Sequence, residues 1–295
     1  MDQVATPENW DEVTDEQLDV FERQIAAKYM RIVPWNAVAW GIGNTLAWLS
    51  LWPLVLMDIV PLWLGFLLAT VSITAAYLPS HEAQHSIIAG KGKPLRWLNE
   101  LVGHVSVIPL AYPYRVLRAT HMEHHAHTND PELDVDYGVT AKNSWHFLWN
   151  SIMRRQPGNK DNGRYPAALE RTGQSHLMLD ALIVNLVYLT VLFGMAWTGH
   201  AIEAALLWWV PKYIAMTYLT YYLSWAPHHP GEETGRYQDT RGFKSQLGNI
   251  LSMGMQYHII HHLYPRIPLS LTPAAYRALL PVLEKRGCEL DGLTH

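Results

Sequence analysis

The chain has 295 residues, of which 49% are hydrophobic and only 16% are charged, and its formal net charge is −4. An ordinary soluble domain has about 25% charged residues. This composition excludes a disordered chain, and the lack of positive charge argues against nucleic-acid binding. The single cysteine, Cys288, excludes an internal disulfide and any Cys-x-x-Cys site. The first 20 residues are acidic and polar, unlike a cleavable signal peptide.

Four segments are long and apolar enough to cross a bilayer, which takes about 20 apolar residues at roughly 1.5 Å each. We therefore predict an all-α integral membrane protein with four transmembrane helices. Short turns join the first segment to the second and the third to the fourth, so the helices form two hairpins. The predicted spans are residues 34–57, 60–78, 177–197 and 201–226.

The basic residues are distributed very unevenly around these spans. Of the 22 Lys and Arg residues, 21 lie before the first span, in the long middle loop or in the tail, and neither hairpin turn contains one. Because cytoplasmic loops are enriched in Lys and Arg, we expect both termini and the middle loop to be cytosolic. The predicted parts are a cytosolic N-terminal segment (1–33), a membrane domain with a cytosolic helical cap (34–270) and a C-terminal cytosolic helix and tail (271–295).

Two further helices are expected outside the spans. Residues 97–110 are apolar but too short to cross the bilayer, which favours a helix at the membrane interface. In the tail, Thr272 and Pro273 form a typical helix start. We expect this helix to kink or restart at Pro281 and to end at Gly287.

Half of the 16 histidines fall into three short clusters, which read HEAQH, HMEHH and HIIHH. Residues three or four apart lie on one face of a helix, so each cluster directs its imidazoles to one side. The predicted topology brings all three clusters to the cytosolic surface, where eight imidazoles are too many for one metal ion and about right for two. The predicted ligands are His81, His85, His121, His124, His125, His258, His261 and His262.

A ninth ligand is expected from the SWAPHH sequence at the cytosolic end of the fourth span, where we favour His228 over His229. Three polar residues follow the second cluster, namely Asn129, Asp130 and Asp134. Their side chains can orient ligand imidazoles by accepting hydrogen bonds. Turn chemistry at Asn-Asp-Pro explains the first two equally well.

The three clusters, in this order and between paired apolar hairpins, resemble the histidine boxes of the membrane fatty acid desaturase–hydroxylase superfamily. The sequence HIIHHLYPRIP also looks like that superfamily's last box, and the resemblance covers roughly residues 35–270. It implies a di-iron centre of two Fe ions, O₂ as co-substrate and oxidation of an unactivated C–H bond in a membrane lipid. Fatty-acyl desaturation is the favoured reaction. Electrons are then expected from a separate ferredoxin or cytochrome b5 type donor, because the sequence has no flavin, haem or cluster motif.

Three alternatives stay open on the sequence. One is a carotenoid-ring hydroxylase or ketolase of the same superfamily. A second is a membrane zinc metalloprotease, since HEAQH matches H-E-x-x-H with Glu82 as general base, although a single zinc leaves at least five cluster histidines unexplained. A third is a metal transporter or store, which needs ionisable residues along the spans, where only Asp180, Glu203 and Lys212 occur.

Overall fold

The computed structural model describes residues 10–30, 32–156 and 158–293. Every regular element in these ranges is helical, which confirms the all-α prediction. Residues 1–9 of the predicted N-terminal segment and the last two residues of the predicted tail lie outside the described residues. The α-helices are α1 (Asp15–Tyr29), α2 (Trp35–Leu56), α3 (Leu62–Ala75), α4 (Tyr77–Gln84), α5 (Arg96–Ser106), α6 (Tyr114–His127), α7 (Ser144–Met153), α8 (Arg164–Arg171), α9 (Met178–Trp197), α10 (Ala201–Ala204), α11 (Val210–Leu219), α12 (Gly248–Leu251), α13 (His258–Leu263) and α14 (Thr272–Lys285).

Among the described residues, three helical segments are long and apolar enough to cross a membrane, and they coincide with the first three predicted spans. They are Trp35–Leu56, Leu62–Gln84 and Ser175–Trp197. The fourth predicted span is helical from Ala201 to Trp225, but π-helical turns at Ala205–Trp209 and Thr220–Trp225 alternate with α10 and α11.

The second apolar segment extends beyond its predicted end at Leu78. After α3 ends, α4 carries the helical path on to Gln84, and every residue from Leu78 to Gln84 is buried. The boundary differs from the prediction because protein, not lipid, covers this polar turn. Asn99 and Tyr114 both donate hydrogen bonds to the Ala83 carbonyl, at 3.0 Å each. The first histidine cluster therefore begins within a helix that is fixed from the side.

Several polar groups within the helical bundle are paired with one another. Between α2 and α3, the Ser72 hydroxyl donates to the Asn44 side-chain oxygen at 2.9 Å, and the Asn44 amide donates to the Ser72 carbonyl. The Trp48 indole donates to the Leu207 carbonyl at 3.2 Å. Because water is absent from an apolar bundle, these bonds allow polar residues to lie in apolar helices.

The tail helix begins at Thr272, as predicted, and Gly287 follows its end with a positive φ of 68°. It is not interrupted at Pro281, which lies inside the continuous helix α14. The interfacial prediction over residues 97–110 corresponds to α5, whose Trp97 and Leu101 are exposed while Leu98 and Val102 are buried.

Close packing at Gly103 leads to a test of this arrangement. A methyl group on Gly103 would overlap sterically with the Tyr114 ring, whereas a methyl group on Gly43 would meet no atom within 4 Å. We expect Gly103→Ala to lower the free energy of unfolding by about 1–3 kcal/mol, because the ring is held by its hydrogen bond and cannot retreat. Thermal unfolding in detergent measures the effect, with Gly43→Ala as the matched control. Equal stability of the two variants would contradict this packing.

Candidate metal centre

Four separate stretches of chain supply the predicted ligands. The first cluster lies at the end of α4, the second on the last turns of α6 and the third on α13. His228 follows the π-helical turn that ends at Trp225. The helical spacing within each cluster turns its imidazoles to one side, as the sequence predicts, and the fold brings these sides together.

One group of imidazoles contains members of all three clusters. The ring nitrogens of His81, His85, His121 and His261 all lie within 4.8 Å of one another. The Nε2 atoms of His85 and His121 are 2.8 Å apart. Two imidazole nitrogens bound to one ion at about 2.0–2.1 Å each lie at most about 4.2 Å apart. These four nitrogens are therefore close to the separation that a shared metal ion requires.

A second group lies beside the first. The ring nitrogens of His124, His228 and His262 also lie within 4.8 Å of one another. The Nε2 atoms of His124 and His228 are 3.3 Å apart. His229 does not join them, because its ring packs on Trp225 at a centroid distance of 4.8 Å. The structure thus places the favoured member of the His228–His229 pair in the cluster.

The two remaining predicted ligands connect these groups. His125 Nε2 lies 3.0 Å from His261 Nε2, and the His125 ring stacks on that of His262 at a centroid distance of 4.2 Å. His258 Nε2 lies 3.1 Å from His262 Nε2. All nine predicted imidazoles consequently form one continuous cluster.

The chemistry of this cluster suits metal ions. Burial, followed by the neighbouring imidazoles, lowers the pKa of His125, His258 and His262 well below its ordinary value, which disfavours the charged form of each ring. Both nitrogens of His81 and the Nδ1 atoms of His258 and His261 are buried without a hydrogen-bond partner in the described structure. Neutral imidazoles with unsatisfied nitrogens are the ligands that iron, zinc and copper accept, so the residues present fit a pair of transition-metal ions.

Hydrogen bonds on the far side of two rings fix their orientation. The His124 Nδ1–H donates to the Asp134 carboxylate at 2.9 Å. Burial alone would lower the pKa of His124, but the Asp134 carboxylate raises that pKa to about 9, so a metal ion that binds Nε2 must displace a proton. The His228 Nδ1–H donates to the backbone carbonyl of Asp239 at 3.0 Å. Both hydrogen bonds leave Nε2 facing the cluster. A metal-binding histidine is usually held in this way, by a hydrogen bond from the ring nitrogen that does not bind the metal.

The three polar residues after the second cluster make different hydrogen bonds. Asp134 alone touches a cluster imidazole, and its second oxygen accepts the Asn129 backbone N–H at 2.9 Å. The Asn129 side chain instead donates to the carbonyls of Glu233 and Asp239. Asp130 is a turn residue that accepts from Glu132 and Leu133. The Asp239 carbonyl was not foreseen, because a backbone atom leaves no signal in the sequence.

A cavity of about 360 Å³ lies beside the cluster. Tyr77, Leu117 and Ser224 line it, and each precedes a cluster histidine by four residues in the sequence. A small adjoining void reaches His124 and His228 and shares Ser224 with this cavity. Residues of three helical segments therefore line the cavity close to the imidazoles.

The contact between Asp134 and His124 predicts a loss of metal affinity in Asp134→Asn. The amide removes the negative charge that holds the imidazole, so we expect metal affinity to fall about 10–100-fold while the chain stays folded. Competition with a chelator, followed by metal analysis, measures the change. Asp130→Asn is the matched control, since Asp130 contacts only its own turn. Equal affinity in the two variants would show that Asp134 does not support the site.

Comparison with known proteins agrees with this site. The sn-1 oleoyl-lipid 12-desaturase of Synechocystis sp. is 37% identical over 82 residues, which are 28% of this chain and 21% of that protein. The sn-1 acyl-lipid omega-3 desaturase (ferredoxin) of Nostoc sp. is 25% identical over 260 residues, covering 75% of this chain and 69% of that protein. The match to the 12-desaturases of Synechocystis sp. and Anabaena variabilis spans only 21% and 25% of their lengths. The fatty acid desaturase family model matches residues 57–293, and the chain belongs to that family.

Proposed function

We propose that this protein is a membrane-bound di-iron enzyme that uses O₂ to desaturate a fatty-acyl chain of a membrane lipid. The convergence of nine imidazoles from four chain segments into one buried cluster carries this proposal. Family membership and the acyl-lipid desaturases among the relatives support the reaction and the substrate. No described feature favours the carotenoid, protease or transporter alternatives.

Each iron would have its own group of imidazoles. His81, His85, His121 and His261 would hold one ion, and His124, His228 and His262 would hold the other, with His125 and His258 next to both groups. When bound, the iron pair would supply the redox chemistry that activates O₂ for removal of hydrogen from an unactivated C–H bond. Over the whole reaction, the lipid loses two hydrogen atoms, and two electrons and two protons from a donor complete the reduction of O₂ to two waters.

The chain's own residues would provide orientation and exclusion of water. Asp134 and the Asp239 carbonyl keep the His124 and His228 rings turned towards the metal. The cavity beside Tyr77, Leu117 and Ser224 has room for a stretch of acyl chain next to the cluster. Burial of the cluster keeps bulk water from the reactive centre, which protects an oxidant from unproductive reduction.

Electrons would reach the site from a separate protein. Two of the relatives are named as ferredoxin-dependent acyl-lipid desaturases, one from Nostoc sp. and one from Helianthus annuus. Their names support a ferredoxin-type donor for this chain. A donor of cytochrome b5 type is the alternative that the sequence left open.

We propose four spans in two hairpins, with both termini and the histidine cap in the cytosol. Three candidate spans and family membership support an integral membrane protein. The distribution of 21 of the 22 basic residues outside the spans and hairpin turns supports this orientation.

Replacing one cluster imidazole should abolish turnover. We expect His261→Ala to lose iron and desaturation while the protein stays in the membrane, because its ring nitrogen lies within 4.8 Å of three other cluster nitrogens. Iron analysis and lipid turnover of the purified protein measure both effects. The matched control is His200→Ala, whose ring lies in the turn between the last two predicted spans. Full iron and activity in His261→Ala would remove that residue from the site.

The reaction itself is tested by expression in a host that makes both acyl lipids and carotenoids. Mass spectrometry of the lipid extract should reveal acyl chains lighter by two hydrogen atoms. A carotenoid heavier by one oxygen atom would instead support the ring hydroxylase. A product of either kind should disappear in His261→Ala and persist in His200→Ala.

The orientation is tested by labelling single cysteines from one side of the membrane. In a Cys288→Ser background, Lys91→Cys lies after the first histidine cluster and Thr198→Cys lies in a hairpin turn, and both positions are exposed. An impermeant maleimide added to intact cells should label Thr198→Cys alone, and lysis should expose Lys91→Cys. Labelling of both positions in intact cells would contradict the proposed orientation.

A further inference from the structure

The cavity beside the histidine cluster changes character from one end to the other. At the cluster end, the Ser224 hydroxyl donates to Asp136 at 3.0 Å and the Tyr165 hydroxyl donates to it at 3.2 Å. Two adjacent arginines, Arg154 and Arg155, line the cavity after the end of α7. The apolar lining consists of Leu117, Val135, Val139, Met216, Leu219 and Leu223. The cavity is therefore negatively charged at Asp136, near the candidate metal site, and positively charged at Arg154 and Arg155.

The arginine end lies well down the fourth helical segment. Arg155 donates from Nη2 to the Thr217 hydroxyl at 2.7 Å. Thr217 precedes Ser224 by seven residues, which is about 10 Å along a helix. Arg155 and Ser224 both line the cavity and are therefore separated by about two helical turns, with the cluster beyond Ser224.

Arg155 retains free hydrogen-bonding capacity. Its guanidinium lies 5.4 Å from the centre of the Tyr213 ring, and within the described part of the chain it forms no ion pair with a carboxylate. Arg154 differs, since its Nε lies 3.8 Å from Asp161, which also pairs with Arg164 at 3.0 Å. An arginine has five N–H donors, and the bond to Thr217 uses one of them. A partly buried cation of this kind is suited to an anionic ligand.

The helix before these arginines marks the level of the membrane surface. On α7, Trp145 is 82% exposed, Trp149 is 62% exposed and Ile152 is 54% exposed. Residues with this spacing lie on one helical face, and exposed tryptophans beside apolar residues are typical of the membrane–water interface. Arg155 follows the last turn of α7, so Arg155 and its partner Thr217 would lie at the level of this interfacial face, and the fourth helical segment would extend out of the membrane from there towards the cluster. Tyr213, against which it packs, is exposed on an apolar helical segment.

We propose that Arg155 binds the anionic headgroup of the membrane lipid whose acyl chain occupies the cavity, with a phosphate or a carboxylate as the group recognised. This inference rests on the proposed function and specifies its substrate as an anionic lipid. Arg155 is a substrate-positioning residue in this scheme, since it holds the polar end of the lipid while the chain extends towards the cluster.

Lipid binding by the purified full-length protein, as isolated and without a reductant, tests the inference without requiring turnover. Native mass spectrometry compares dioleoyl phosphatidylglycerol, which is anionic, with dioleoyl monogalactosyldiacylglycerol, which is neutral. We expect Arg155→Gln to weaken binding of the anionic lipid at least about tenfold and to leave the neutral lipid unchanged. Arg155→Lys should restore part of the loss, because it keeps the charge without the paired donors.

Lys160→Gln is the matched control, because Lys160 is an exposed cation of the following turn that does not line the cavity. If Arg155→Gln weakened binding of both lipids equally, Arg155 would only support α11 structurally, and the inference would be overturned. Unchanged binding of the anionic lipid would also overturn it. Release of that lipid by inorganic phosphate alone would assign the site to free phosphate and not to a lipid.

The position of the new double bond gives a second readout. A lipid held by its headgroup is oxidised at a fixed distance from the headgroup, so lengthening the acyl chain at its methyl end should leave the double bond at the same carbon counted from the carboxyl end. A double bond that keeps its distance from the methyl end would contradict the inference. Failure of the proposed function is a different result, namely no desaturated product from the wild-type chain with any lipid.

Discussion

Nine imidazoles packed nitrogen against nitrogen inside the protein are the constraint on which the rest of the structure depends. Buried polar atoms without partners cost free energy, and His81, His258 and His261 each have such a nitrogen. A cation bound at the cluster-facing nitrogens would stabilise the close approach of these rings, whereas the Nδ1 atoms of His258 and His261 lie away from it, because both rings meet the cluster through Nε2. Since the rings come from four chain segments, the cluster exists only when those segments have assembled, so metal binding and folding are thermodynamically coupled.

Carboxylates outside the cluster hold these segments in place. Glu82 accepts the Leu269 backbone N–H at 2.7 Å, which ties α4 to the chain that follows the third histidine cluster. Glu22 on α1 is 1% exposed and accepts hydrogen bonds from Tyr264 at 2.7 Å and Tyr237 at 2.8 Å. The N-terminal helix therefore fixes the end of α13, although it precedes the region that matches the family. Glu82 thus makes a structural contact through one carboxylate oxygen.

The sequence reveals those features that short-range spacing encodes. Histidines three or four residues apart and apolar runs of bilayer length lie within a single helix, so His121, His124 and His125 could be placed on one face without knowledge of the fold. The choice of Asp134 over Asn129 depended instead on how the chain turns after α6. The Asp239 carbonyl and the extension of α4 to Gln84 depend on contacts between distant segments. Those contacts leave no periodic signal.

The fourth helical segment joins the lipid-facing and metal-facing parts of the proposed enzyme. Along one helical path, Tyr213 packs against Arg155, Thr217 accepts its hydrogen bond, Ser224 binds Asp136 and His228 enters the cluster. The π-helical turn Thr220–Trp225 lies between Thr217 and His228, and such turns are frequent at functional sites. In the proposed enzyme, this one segment would set the distance between a bound headgroup and the metal site. On this view, the position of the oxidised bond is a property of helix length, and loop flexibility has little influence on it.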